Sequence, residues 1–180
     1  FADAWEHHCV LLALTQDLWQ PGNPTYASEI PSIRYSPYFL VQAVVCRTSG
    51  LDPYTMLSLA AVLNTLLLIL GVRALLRSFG EERSAATALV VMVSLYGGAP
   101  HWAGSYALSD LPWHQVNPSA FSLALVLFTW ALFRRFNRQG WKSPAFFAML
   151  PLAACAMLDH PMTGVFGLLG LFVMAAAGAS

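Results

Sequence analysis

Charge is what this sequence has least of. Nine Lys or Arg and nine Asp or Glu make up 10% of 180 residues, while 57% of the chain is hydrophobic. An ordinary soluble domain carries about 25% charged residues. Too few charges remain to make a wet surface around the long apolar stretches, which excludes an ordinary globule and points to a polytopic membrane protein. The formal net charge is zero, so the basic footprint that nucleic acid requires is absent. Cysteine is scarce too: Cys9, Cys46 and Cys155 form neither a CxxC pair nor a disulfide framework. There is no HExxH or HxxxH spacing, no internal repeat and no visible secretory signal. The first residue is Phe rather than Met, and a fragment of a longer protein is expected.

What is present is a series of apolar runs. Asp52 can cap a helix, Pro53 suits its first position, and 19 uncharged residues follow from Tyr54 to Val72. That is close to the ~20 residues a bilayer requires. Four further candidate spans run from Ser84 to Gly97, Pro118 to Phe133, Pro144 to Leu158 and Met162 to Ala179. Between the first and second lie Arg73, Arg77 and Arg83, and after the third lie Arg134, Arg135, Arg138 and Lys142. Seven of nine basic residues thus fall in two short connections, which the positive-inside rule assigns to the cytoplasm. All five histidines and seven of nine acids then fall on the opposite side. The expectation is an all-α polytopic transmembrane helix bundle of about five spans over residues 53–180, in the plasma membrane. An extracytoplasmic loop, residues 1–52, precedes it. Within that loop Val10, Leu11, Leu14 and Leu18 recur at helical spacing, which suits an interfacial helix. A second short helix is expected from Pro37 to Val45, too short to span.

The outer side carries the residues capable of chemistry. Asp3 and Glu6 share a helical face, with His7 one turn from Asp3. A carboxylate at a bilayer edge gains basicity by partial desolvation, which suits a general base. A solvated polar helix end is the competing reading. His7 and His8 invite a metal, but adjacent side chains diverge by about 100° on a helix and rarely share one ion. The loop "GGAPHWAGSYALSDLPWHQVNPSAF" holds His101, Asp110 and His114 among Trp and Tyr rings that stack on sugars or anchor at headgroups. "MLDHPMTG" sets Asp159 and His160 in the turn between the last two spans, where a charge must be exposed or paired. Asn64, in mid-span, reads as an interhelical hydrogen bond.

"FADAWEHH", the proline-punctuated "QPGNPTYASEIPSIRYSPYF" and "LDHPMTG" together resemble the type C glycosyltransferase superfamily. Its members are polytopic enzymes that transfer a sugar from a polyprenyl-phosphate carrier at the outer membrane face. The resemblance covers the chain loosely, as the N-terminal half or less of such an enzyme, with a first span before Phe1. It implies Asp3 as the base that deprotonates an acceptor hydroxyl on a lipid, glycan or protein. Glu6 would support Asp3 or join it in holding a divalent cation, Mg or Mn. In several branches the acids are adjacent, whereas Ala4 and Trp5 intervene here. Arg34, His7 and His160 would meet the phosphate, with Tyr35, His101, Asp110, His114 and Asp159 completing the substrate-binding set. Two other classes compete: a transporter or flippase, which would need ionisable residues within spans, and a non-enzymatic membrane subunit, which would tolerate neutralisation of Asp3.

Overall fold

The computed structural model describes residues 2–26, 30–95 and 115–178, with side chains from Trp5 onward and none at Leu95. Among the described residues, seven α-helices and one 3-10 turn account for the regular structure, with no strand. They are α1 (Ala2–Gln16), α2 (Pro37–Ser49), α3 (Pro53–Phe79), the 3-10 turn (Glu82–Ser84), α4 (Ala85–Leu95), α5 (Pro118–Gln139), α6 (Pro144–Asp159) and α7 (Pro161–Gly178).

Proline sets most of the starts. Pro37, Pro53, Pro118, Pro144 and Pro161 each open a helix, at a position whose N–H has no intrahelical partner to lose. Asp52 caps α3 by accepting from the N–H groups of Tyr54 (3.0 Å) and Thr55 (3.1 Å). At the other end Gly80 takes φ 87°, and the N–H groups of Gly80 and Glu81 close back on Arg77 and Leu76 as a Schellman cap.

Three helices are long and apolar enough to cross a membrane: α3, α5 and α7, with 27, 22 and 18 residues. At 1.5 Å per residue α3 is about 40 Å long, enough to cross a ~30 Å hydrocarbon core. In their most apolar windows only 22% of α3 and 11% of α7 are buried. Leu59, Val62, Leu63, Leu66 and Leu70 all lie exposed along α3. Apolar surface on that scale needs lipid or further protein to cover it. The other two expected spans are shown at shorter length: α6 has 16 residues and the described part of α4 has 11. At these lengths α6 covers about 24 Å and the described part of α4 about 16 Å of a ~30 Å hydrocarbon core.

At the centre is α5, packed against α3 on one flank and against α6 and α7 on the other. Small residues let the backbones close. A Cβ at Gly71 of α3 would meet Leu127 Cβ at 3.1 Å, and one at Gly167 of α7 would meet Val126 Cγ2 at 2.6 Å. Trp130 of α5 donates its indole N–H to the Gly167 carbonyl at 2.8 Å.

Helices α1 and α2 pair with each other and also touch α3, while α2 reaches α6. Val10, Leu11 and Leu14 are buried in a cluster with Tyr38, Phe39, Ala43 and Leu57, and Leu18 packs on its edge. The apolar stripe expected to face the membrane interface is therefore covered by protein, since periodicity marks a buried face without naming what buries it. The exposed apolar face belongs to α2, through Leu40, Val41, Val44 and Val45.

Candidate functional site

Three helix N-termini meet at one end of the bundle. Ser36–Pro37 begins α2, Asn117–Pro118 begins α5 and His160–Pro161 begins α7, and residues of all three junctions line one cavity of about 330 Å³. His7 of α1, Arg34, Phe39 and Asp159 complete its chemistry. Each N-terminus carries roughly half a positive charge from its unpaired N–H groups. Neither Ser36 nor Asn117 spends its side chain on its own cap.

A buried network fixes this geometry. Asn64, fully buried in α3, donates to the Tyr38 hydroxyl (2.9 Å) and to the Gln115 carbonyl (2.6 Å). Tyr38 donates in turn to the Val116 carbonyl at 3.2 Å. Burial holds the Tyr38 phenol neutral by raising its pKa to about 12. The residues just ahead of α5 are thereby tied to α2 and α3, and Asn117 follows directly. Asn64 makes the interhelical bonding expected of it.

Asp159 does the same for α2. Its Oδ1 accepts the backbone N–H of Tyr38 at 2.7 Å, so a carboxylate from the α6–α7 turn sits at the positive end of α2. Only 7% of Asp159 is exposed, and Oδ2 is buried without a hydrogen-bond partner of good geometry. Burial pushes the carboxyl above its usual range, opposed by the bond from Tyr38. His160 uses Nδ1 to accept from the Thr163 N–H (3.3 Å), with the Thr163 hydroxyl at 2.7 Å, and so caps α7. An accepting Nδ1 fixes the tautomer with the proton on Nε2. Burial lowers the imidazole's pKa, which keeps that form neutral.

The expected site residues divide. His7, Arg34, Asp159 and His160, up to 153 positions apart, line the same cavity. Glu6 forms an ion pair with Arg34 at its edge, so a cation at Glu6 would compete with a guanidinium. His8 stacks on Tyr54, centroids 3.7 Å apart, while His7 packs at 5.2 Å from Phe39, in keeping with their angular separation on α1. Tyr35 directs its hydroxyl to the carbonyls of Gly22 (2.8 Å) and Pro21 (3.3 Å) and serves the loop rather than the cavity. The Asp3 side chain and all of His101, Asp110 and His114 lie outside the described residues. Among those described, no three His, Cys, Asp or Glu side chains converge as a metal group. Ser36 and Asn117 escaped the sequence reading, because a polar residue before Pro signals a helix start and says nothing of what the start faces.

The arrangement is suited to an anion with hydroxyl groups. Arg34 and three helix N-termini favour negative charge, Asp159 offers an acceptor, and a neutral His160 offers one donor. No protein-family model, no curated protein and no solved structure matches this chain.

Proposed function

We propose that the chain is part of a polytopic membrane glycosyltransferase, drawing a sugar from a polyprenyl-phosphate donor at the extracytoplasmic face of the plasma membrane. The observation that carries this reading is the meeting of Arg34 with three helix N-termini in one cavity beside long apolar helices. A lipid phosphate needs both halves of that chemistry. In the five-span arrangement expected from the basic connections, α4 and α6 complete the crossings between α3, α5 and α7.

A carboxylate takes the proton from an acceptor hydroxyl, the resulting oxygen attacks the anomeric carbon, and the bond from that carbon to the phosphate oxygen breaks. The leaving polyprenyl phosphate carries the electron pair and is stabilised by Arg34 and the N–H groups of α2, α5 and α7. Asp3 is the base expected from the family resemblance. Asp159, desolvated and held by Tyr38 and Ser36, supports the sugar or shares the proton.

The test compares the full-length parent with Arg34→Gln and Asp3→Asn in its host, at matched membrane abundance. Lipids are extracted and polyprenyl-phosphate sugars quantified by mass spectrometry. Accumulation of one sugar lipid in both variants supports the transferase and names its donor. An unchanged lipid pool with both variants functional rejects it and returns the protein to the transporter or subunit class.

A further inference from the structure

At the opposite end of the bundle, α3 and α5 run side by side in the same direction. They touch where Gly71 meets Ala124 and Leu127. Beyond that point a cavity of about 520 Å³ lies between them. Ala74, Phe128, Ala131 and Leu132 form apolar walls toward the bundle's middle, and Arg77, Arg135 and Arg138 stand at the outer rim. Arg135 and Arg138 are three residues apart on α5, hence on one face.

No carboxylate lines this cavity. Of the two acids in the connection after α3, Glu82 is held by Arg73 at 2.8 and 2.6 Å and reached by Arg77 at 3.7 Å, and Glu81 accepts from the Ser84 hydroxyl at 3.4 Å. Arg138 donates to the Ser78 carbonyl (2.8 Å) and Arg135 to the Gln139 amide oxygen (3.2 Å), both uncharged acceptors. Arg134, the remaining arginine of this turn, stacks over the Phe79 ring at 3.9 Å. Arg135 and Arg138 therefore bring cationic charge that no described carboxylate pairs, directly above a greasy slot. A soluble phosphate compound would satisfy the rim and leave the slot unused.

We propose that this groove binds one anionic phospholipid. Its phosphate lies against Arg77, Arg135 and Arg138, and an acyl chain runs along Phe128 and Leu132. Basic pockets between membrane helices recognise lipid headgroups in this way. The inference rests on the membrane character of α3 and α5 and is independent of any reaction at the other end.

The full-length protein, purified in mild detergent, is offered equal amounts of phosphatidylglycerol and phosphatidylcholine with the same chains, and retained lipid is counted by native mass spectrometry. Phosphatidylglycerol is expected to be retained selectively, at one per chain. The double variant Arg135→Gln, Arg138→Gln should lower that retention about ten-fold. Leu132→Trp, which fills the slot and keeps every arginine, should lower it comparably. Excess inorganic phosphate should leave the lipid bound. Equal retention of the two lipids, retention unchanged in either variant, or displacement by inorganic phosphate overturns the proposal. Thermal unfolding without added lipid verifies that both variants are folded.

Discussion

Asp159 and Tyr38 are 121 residues apart in sequence, yet the carboxylate of one holds the backbone N–H of the other at 2.7 Å. The contact joins the α6–α7 turn to the start of α2 and closes one wall of the polar cavity. It also takes one of the N–H groups that an anion could use at α2, as His160 takes one at α7, whereas Asn117 makes no side-chain cap at α5. A carboxylate among helix N-termini and an arginine gives the cavity both an acceptor and an anion-binding side, as a phosphorylated sugar requires.

Removing the Asp159 carboxylate separates two contributions. Asp159→Asn keeps an oxygen for Tyr38 and gives up the charge's attraction to the α2 N-terminus, about 0.3–1 kcal/mol. It also removes the larger burial cost that raises the pKa, so it should cost little at neutral pH. Asp159→Ala leaves that N–H buried and unpaired, at a cost of about 1–3 kcal/mol. Because burial raises the carboxyl's pKa, the folded state holds the proton more tightly than the unfolded one. Stability from this group is full below the ordinary value of 3.8 and declines as pH rises through the higher folded value. Asp159→Asn should flatten that decline. Thermal unfolding in detergent from about pH 4 to about pH 7 measures both effects; Ala and Asn variants of equal stability would contradict the cap.

His160 shifts in the other direction. Its pKa is lowered, so its contribution is full above 6.5 and is lost as pH falls through the folded value. The cause is burial, which disfavours the charged ring, and protonating Nδ1 also turns the acceptor of the Thr163 N–H into a donor and undoes the α7 cap. His160→Asn, a good capping residue without a titration, should keep stability at neutral pH and lose less of it toward pH ~5. His160→Leu should cost about 1 kcal/mol at neutral pH and less toward pH ~5, where the wild-type cap is itself being lost. An acid-side loss that persists undiminished in His160→Asn places its origin elsewhere.

At Asn64 the cost comes from what is left behind. Asn64→Leu strands the Gln115 carbonyl and takes away a donor from Tyr38, both in buried surroundings. A loss of about 1–2 kcal/mol is expected, in the range for polar contacts between membrane helices. Tyr38→Phe should cost a comparable amount, since it strands the Val116 carbonyl and frees an Asn64 donor even though Gln115 still accepts from Asn64. The double variant should lose less than the sum, and a double-mutant cycle with no coupling would show that the two do not depend on each other.

How much of this was legible depends on the range of each contact. Helix starts were readable, because Asp52–Pro53, Pro118 and Pro144 are local signals, and the structure begins α3, α5 and α6 at those prolines. The α1 stripe was readable as a buried face, though not as one buried by Phe39 and Ala43 of α2. His160–Pro161 was noticed in its turn. Its meeting with Ser36 and Asn117 was not, for no spacing reports contacts spanning half the chain. Arg135 and Arg138 read as a topology signal, and only the packing of α3 beside α5 makes a groove of them.

The approach of α7 to α5 is limited by glycine. A Cβ at Gly170 would overlap the Trp130 ring, whose N–H is already committed to the Gly167 carbonyl one turn away. Trp130 cannot move aside without giving up that bond, so Gly170→Ala suffers both the overlap and the lost partner, about 1–3 kcal/mol together. Gly178, with nothing within 4 Å of an added Cβ, is the matched control on the same helix, and Gly178→Ala should be close to neutral. Trp130→Phe removes the crowded part of the indole. It should itself cost stability by freeing the Gly167 carbonyl, yet make Gly170→Ala nearly harmless in its background. Thermal unfolding of the two single variants and the double decides it: an unchanged penalty for Gly170→Ala in the Trp130→Phe background means that the clash lies with some other part of α5, and the close α5–α7 packing argued for Trp130 fails.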